Sequence, residues 1–179
     1  RVVRTADATE RAISRSMGTE NWIGNPALDP ESHSEAELGA FFSGKRWNSF
    51  LAVYNDSIQN YILRDRARGQ EGVLQSDGAT IYRNIEARIA GAESGADLSL
   101  TENWRIGAAG FYTWGQDRDR GSALPQIPPL QGSLKLFHLR EQWRAGLTLR
   151  AASRQGRVDA DPERGTGRDV RKTPGWAAL

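Results

Sequence analysis

Residues 104–114 read WRIGAAGFYTW, and every second residue from Trp104 gives Ile106, Ala108, Gly110, Tyr112 and Trp114, an apolar row with aromatics at both ends. The interleaved set, Arg105, Gly107, Ala109, Phe111 and Thr113, is more mixed. A period of two is the mark of a β-strand with two unlike faces. About ten residue steps of 3.3 Å, tilted by about 40°, rise roughly 25 Å along a membrane normal. That matches the apolar band of an outer-membrane barrel, with Trp or Tyr at each lipid–water boundary. One strand of a soluble sandwich with an aromatic inner face would read the same way. The neighbouring sequence has to separate the two.

Working outward, the alternation begins at residue 34, where Ala36, Leu38, Ala40 and Phe42 oppose Glu35, Glu37 and Gly39. A tight turn at 43–46 leads to Trp47 and a second strand to residue 55, which the stretch 56–66 (DSIQNYILRDR) carries on beyond the bilayer. After a polar loop the third strand covers 80–100, with Ala90, Ala92, Ala96, Leu98 and Leu100 against Glu93, Asp97 and Ser99. A turn at 101–103 gives Trp104 and the strand already described. The loop GQDRDRGSALPQIPP follows, then a fifth strand over 130–139, a turn at 140–142, and a sixth strand over 143–151. A charged loop over 154–175 ends at Trp176, where a seventh strand starts.

Two regularities emerge. The connections alternate short and long, and each short turn is followed at once by Trp: Trp47, Trp104, Trp143. A soluble sandwich has no reason for that arrangement. An outer-membrane barrel has one, because its short turns gather at one end and aromatic girdles ring both interfaces. The expected fold is therefore all-β, an antiparallel meander of about seven strands forming part of a transmembrane β-barrel. Seven strands cannot close a barrel with so polar a lumen, and open edges are not tolerated in lipid. The segment then needs the remainder of a parent chain. Its ends, Arg1-Val2-Val3 and Trp176-Ala177-Ala178-Leu179, also suggest an internal piece.

The rest of the composition excludes several classes. There are no cysteines, so no disulfide framework, zinc-thiolate site or cysteine nucleophile is expected. No run approaches the roughly 18 apolar residues of a membrane helix. Lys and Arg number 24 against 22 Asp and Glu, spread singly rather than gathered on a basic face, so no nucleic-acid partner is expected. No nucleophile–base pair or phosphate-binding glycine loop stands out, and the chain does not read as an enzyme. Residues 1–33 are the least regular, with a short helix over 5–16 and a turn-rich stretch over 24–31.

That turn-rich stretch, Gly24-Asn25-Pro26-Ala27-Leu28-Asp29-Pro30-Glu31, resembles the GNPxLxPE segment of TonB-dependent outer-membrane receptors. The stretches RTADATER (4–11), YILRDR (61–66), IYRNI (81–85), LPQIPPL (124–130) and DVRKTPGW (169–176) resemble the copper-receptor branch of that family. The resemblance implies a barrel of about 22 strands filled by an N-terminal plug. It places residues 1–179 within the barrel domain, in the bacterial outer membrane, with plug and terminal strands elsewhere. It implies copper as the transported ligand, with outer-membrane lipid, the plug and the TonB-ExbB-ExbD complex as partners. A receptor for a siderophore or other organic chelate is the alternative within the class, and a soluble β-sandwich binding module the alternative outside it.

Candidate chemistry is sparse. Copper favours Cys, Met or His ligands, and the chain offers Met17, His33 and His138, too far apart to form a spacing motif. Met17 and His33 are weak metal candidates only, and His138 reads as an interfacial residue beside a short turn. The resemblance places the metal ligands outside this segment, so no catalytic, cofactor-binding or firm metal residue is assigned. Asp117-Arg118-Asp119-Arg120-Gly121 and Asp159-Ala160-Asp161 have carboxylate spacings suited to a hard cation, but read better as solvated loop. Arg105, Arg144, Arg150, Glu93 and Asp97 fall on the inward row, where they are expected to pair with one another or with the plug.

Overall fold

The computed structural model describes residues 1–17, 20–66, 79–160 and 171–179. Among them are ten strands and one short helix: β1 (Val2–Arg4), α1 (Ala8–Ala12), β2 (Ser14–Met17), β3 (Glu20–Ile23), β4 (Glu31–Ser43), β5 (Trp47–Arg66), β6 (Ala79–Ser99), β7 (Trp104–Asp117), β8 (Gln131–Leu139), β9 (Arg144–Ala152) and β10 (Trp176–Ala178). All ten belong to one sheet. Its main path, β1-β4-β5-β6-β7-β8-β9-β10, is antiparallel throughout, while β2 and β3 form a hairpin off the path and β3 runs parallel to the start of β6. Among the described residues no second sheet packs against it, so the fold is not a sandwich.

The seven strands expected from the alternation are β4 to β10, with small shifts at their ends. The short helix is corrected: it covers only Ala8–Ala12, because Ile13 already has an extended backbone and residues 14–17 pair with β3 instead. Its start is built as a capping box, Asp7 accepting from the Glu10 N–H and Glu10 accepting from the Asp7 N–H. β1 was not legible, since three residues carry no alternation. It pairs Val2 with His33 and Arg4 with Glu31, so it is the next strand of the meander. The expected polar loop over 67–78, and the 161–170 part of the loop before Trp176, lie outside the described residues.

Register turns the alternation into two faces. One rung of the apolar face runs Trp47, Leu98, Ile106, Leu136, Leu147, and another Leu38, Val53, Ala92, Tyr112. These side chains stay exposed, Leu38 at 74% and Leu147 at 53%. A water-soluble fold would bury such a face. At the short-turn end each Trp carbonyl closes its turn, accepting from Gly44 N–H at Trp47, from Leu100 N–H at Trp104 and from Arg140 N–H at Trp143. The Trp that follows each turn is thus part of the turn.

The apolar band ends at the rung of Asn55, Ala90 and Trp114, and the next positions up the same face, Ser57, Gln59 and Arg88, are polar or charged. β5 and β6 continue past it, with 20 and 21 residues against the roughly 10 that a bilayer needs. Beyond the band, Ile58, Leu63, Ile85 and Ala87 form a small core capped by Leu124 from the loop after β7. A bulge makes this core possible. Register slips between Ile58 and Tyr61, with Asn60 at a left-handed φ of 59°, so Tyr61, Leu63 and Asp65 share the face of Ile58.

Candidate functional site

Charged side chains line the second face of the sheet, and a further set gathers at the long-loop end. Across the band that face is divided by charge. Glu35 and Glu37 on β4 and Glu93 and Asp97 on β6 are acidic, whereas Arg105 on β7, Lys135 on β8 and Arg144 and Arg150 on β9 are basic. All five residues expected on the inward row are there. Their expected pairing with one another is not: among the described residues no ion pair joins them. The strands hold opposite charges on separate staves, and these side chains are exposed. A recess of about 460 Å³ lies on this face, lined by Phe50, Glu93, Phe111, Lys135, Arg150 and Trp176.

At the long-loop end, Asp65 and Asp117 are buried beside two guanidinium groups. Arg83 donates to Asp65 and lies 3.4 Å from Asp117, and Arg120 lies 3.0 Å from Asp65. Asp117 Oδ1 also accepts from the N–H groups of Asp119 (2.9 Å) and Arg120 (3.1 Å). The solvated-loop reading of Asp117 and Asp159 is therefore corrected, since both are buried. Asp117 shows why: its carboxylate is consumed by a turn and an arginine, which makes it a clasp for the loop rather than a calcium ligand. Asp161 lies outside the described residues.

A second cluster joins β1, α1, β4 and β5 above the band. Glu31, almost fully buried, accepts from Arg4 (2.6 and 2.8 Å) and from the Ile62 N–H (2.7 Å). His33 sits between carboxylates, Nδ1 at 2.7 Å from Asp56 and Nε2 at 3.2 Å from Glu31. Burial opposes charge on both groups. At His33 the hydrogen bonds to Asp56 and Glu31 outweigh it and raise the imidazole above its ordinary value. At Glu31 the bonds from Arg4, the Ile62 N–H and His33 outweigh it and lower the carboxyl.

His33, a weak metal candidate from the sequence, thus has both ring nitrogens engaged. Met17 ends β2, its backbone paired with Glu20. The two are not brought together by any pairing in the sheet. His138 is where an interfacial residue belongs, its ring 4.5 Å from that of Trp104 and 4.7 Å from that of Trp143 at the short-turn end. Sequence reasoning missed the Asp65–Arg83–Asp117–Arg120 network. Its signal was present in the stretches 61–66 and 81–85, which pair residue by residue from Tyr61–Ile85 to Asp65–Ile81.

Short turns at one end, long loops at the other, an exposed apolar band with a Trp girdle and a charged second face together define the wall of a transmembrane β-barrel. The profile of the family described as TonB dependent receptor-like, beta-barrel, matches residues 5–179, and the chain belongs to that family. Among solved structures it is similar to the copper transporter OprC, at 29% identity and a TM-score of 0.78, covering 98% of this chain and 27% of that one. It shares its fold with a ferric enterobactin receptor (PfeA) from Pseudomonas aeruginosa, at 20% identity and a TM-score of 0.66, covering 88% of this chain and 24% of that one. The FrpB iron transporter from Neisseria meningitidis has the same fold at 10% identity and a TM-score of 0.61, covering 84% and 24%. The chain thus spans about a quarter of the length of these structures.

Proposed function

We propose that this chain is wall and rim of an outer-membrane, TonB-dependent active-transport receptor whose cargo is copper. The observation that carries the reading is the 29% identity, sustained over 98% of the chain, to a copper transporter, against 20% or less to the receptors for iron and its chelates. In this reading the short-turn end faces the periplasm and the long loops face outward. Strands β4 to β10 are scaffold. The acidic strip on β4 and β6 favours cations on one side of the lumen, and the basic strip on β7 to β9 faces the plug. The plug, pulled through TonB by the TonB-ExbB-ExbD complex, opens the path. The copper ligands themselves belong to other parts of the receptor.

One feature favours the chelate alternative. A recess of about 260 Å³ at the long-loop end is lined by Trp22, Tyr61, Tyr82 and Arg64, with the Arg64 guanidinium 4.0 Å over the Trp22 ring. Aromatic walls beside a cation suit an aromatic, anionic chelator. Metal analysis separates the readings. The intact receptor is purified from outer membranes after exposure to copper, iron and zinc salts. Near-stoichiometric copper with little iron or zinc supports the copper reading. No metal in a well-folded sample removes it and directs attention to the recess.

A further inference from the structure

We infer that the outward surface at the long-loop end of β6 and β7 binds the phosphate group of an outer-leaflet lipid, a reading that rests on the barrel orientation proposed above. Trp114 ends the apolar band, and two arginines flank it, with a third, Arg154, in the recess that Arg157 also lines. Arg157 places its guanidinium 4.7 Å from the Trp114 ring centre and Arg88 lies 5.9 Å from it. Arg154 lines, with Tyr112 and Arg157, a recess of about 160 Å³ beside the same edge. All three arginines are exposed.

Their partners leave the charges unneutralised. Arg88 donates to the Asn55 side chain (2.6 Å) and Arg157 to the Gly115 carbonyl (3.1 Å). Among the described residues none of the three meets a carboxylate. The nearest acid along the row, Glu86, takes the N–H of Asn60 instead. The position is what distinguishes this group from an ordinary solvated surface. Arg88 occupies the first charged step above Ala90 on the lipid-facing row, opposite Gln116, and Trp114 occupies the last apolar step. Acyl chains beside Tyr112 and Trp114 would bring a headgroup to that height. Planar guanidinium groups on an aromatic platform match a phosphate by paired N–H donors and by charge. A phosphomonoester, carrying more charge than a diester, is the better partner.

The test uses the whole receptor in nanodiscs, with phosphatidic acid as the phosphomonoester probe and phosphatidylcholine as the control, read by native mass spectrometry of retained lipid. Wild type is expected to retain phosphatidic acid over phosphatidylcholine. The triple variant Arg88→Gln, Arg154→Gln, Arg157→Gln should lose this preference by about tenfold or more. Arg154→Gln alone removes no side-chain hydrogen bond or ion pair among the described residues and should give a smaller loss in an undisturbed barrel. Equal retention by wild type and both variants, each still a heat-modifiable barrel, overturns the inference and leaves the transport reading standing. A wild type that never forms a detergent-stable barrel removes both.

Discussion

His33 carries the pH sensitivity of the joint between β1 and the meander. Its nitrogens face Asp56 and Glu31, and Arg4 and Glu10 complete the group. Because hydrogen bonds raise the imidazole in the folded state, its contribution is full below the ordinary histidine value of about 6.5 and disappears as pH climbs through the raised folded value. Glu31 works the other way. Its lowered carboxyl contributes above the ordinary value and is lost as pH falls through the depressed one. The joint is therefore firmest in mildly acidic solution. Hydrogen exchange on the receptor should show β1 and the Ile62 amide less protected at about pH 8 than at about pH 6, after correction for intrinsic rates. His33→Gln should remove the difference. Protection that does not change with pH in the wild type would mean that the imidazole is not charged there.

At the scale of the strand, the sheet is held across the band by aromatic side chains lying over glycines. Tyr54, Gly91 and Thr113 form one rung of the polar face, and the Tyr54 hydroxyl crosses Gly91 to reach Thr113 Oγ1 at 3.0 Å. A Cβ on Gly91 would lie 2.5 Å from the tyrosine ring, so any other residue there displaces it. Phe50 over Gly95 and Phe137 over Gly146 repeat the arrangement. Such cross-strand cover replaces the missing glycine side chain and pins register. Gly91→Ala should lower the unfolding free energy of the detergent-solubilised receptor by about 1–3 kcal/mol. In the Tyr54→Ala background the same change should cost little. Additive effects in that double-mutant cycle would show that the two residues do not interact.

On the scale of the whole chain, the apolar face and the edge of β4 together set its solubility. β4 is paired with β1 only at Glu31 to His33, so residues 34–43 keep one edge without a strand among those described. Expressed alone in detergent-free buffer, residues 1–179 should sediment with the insoluble fraction, because lipid-facing rows and open strand edges drive association. A monodisperse soluble monomer by size-exclusion chromatography with light scattering would contradict the barrel reading of the apolar face.

The sequence by itself determined the strand count from β4 to β10, the two faces, the short-turn end and its girdle, because a period of two and the turn residues are local properties of the chain. It also placed Arg105, Arg144, Arg150, Glu93 and Asp97 on one face, since alternation alone assigns a side. Only the tertiary structure decided the rest. β1 is too short to show a period, and Arg4 meets Glu31 from 27 residues away. The bulge at Asn60 moves Tyr61, Leu63 and Asp65 to the inner side, a register change that no run of residues announces. The acidic spacing at 117–121 reads as open loop in the sequence, whereas the fold sets Arg83, 34 residues earlier, beside Asp117. Whether a carboxylate is solvated or buried depends on what the fold brings to it, and that partner is not its neighbour in sequence.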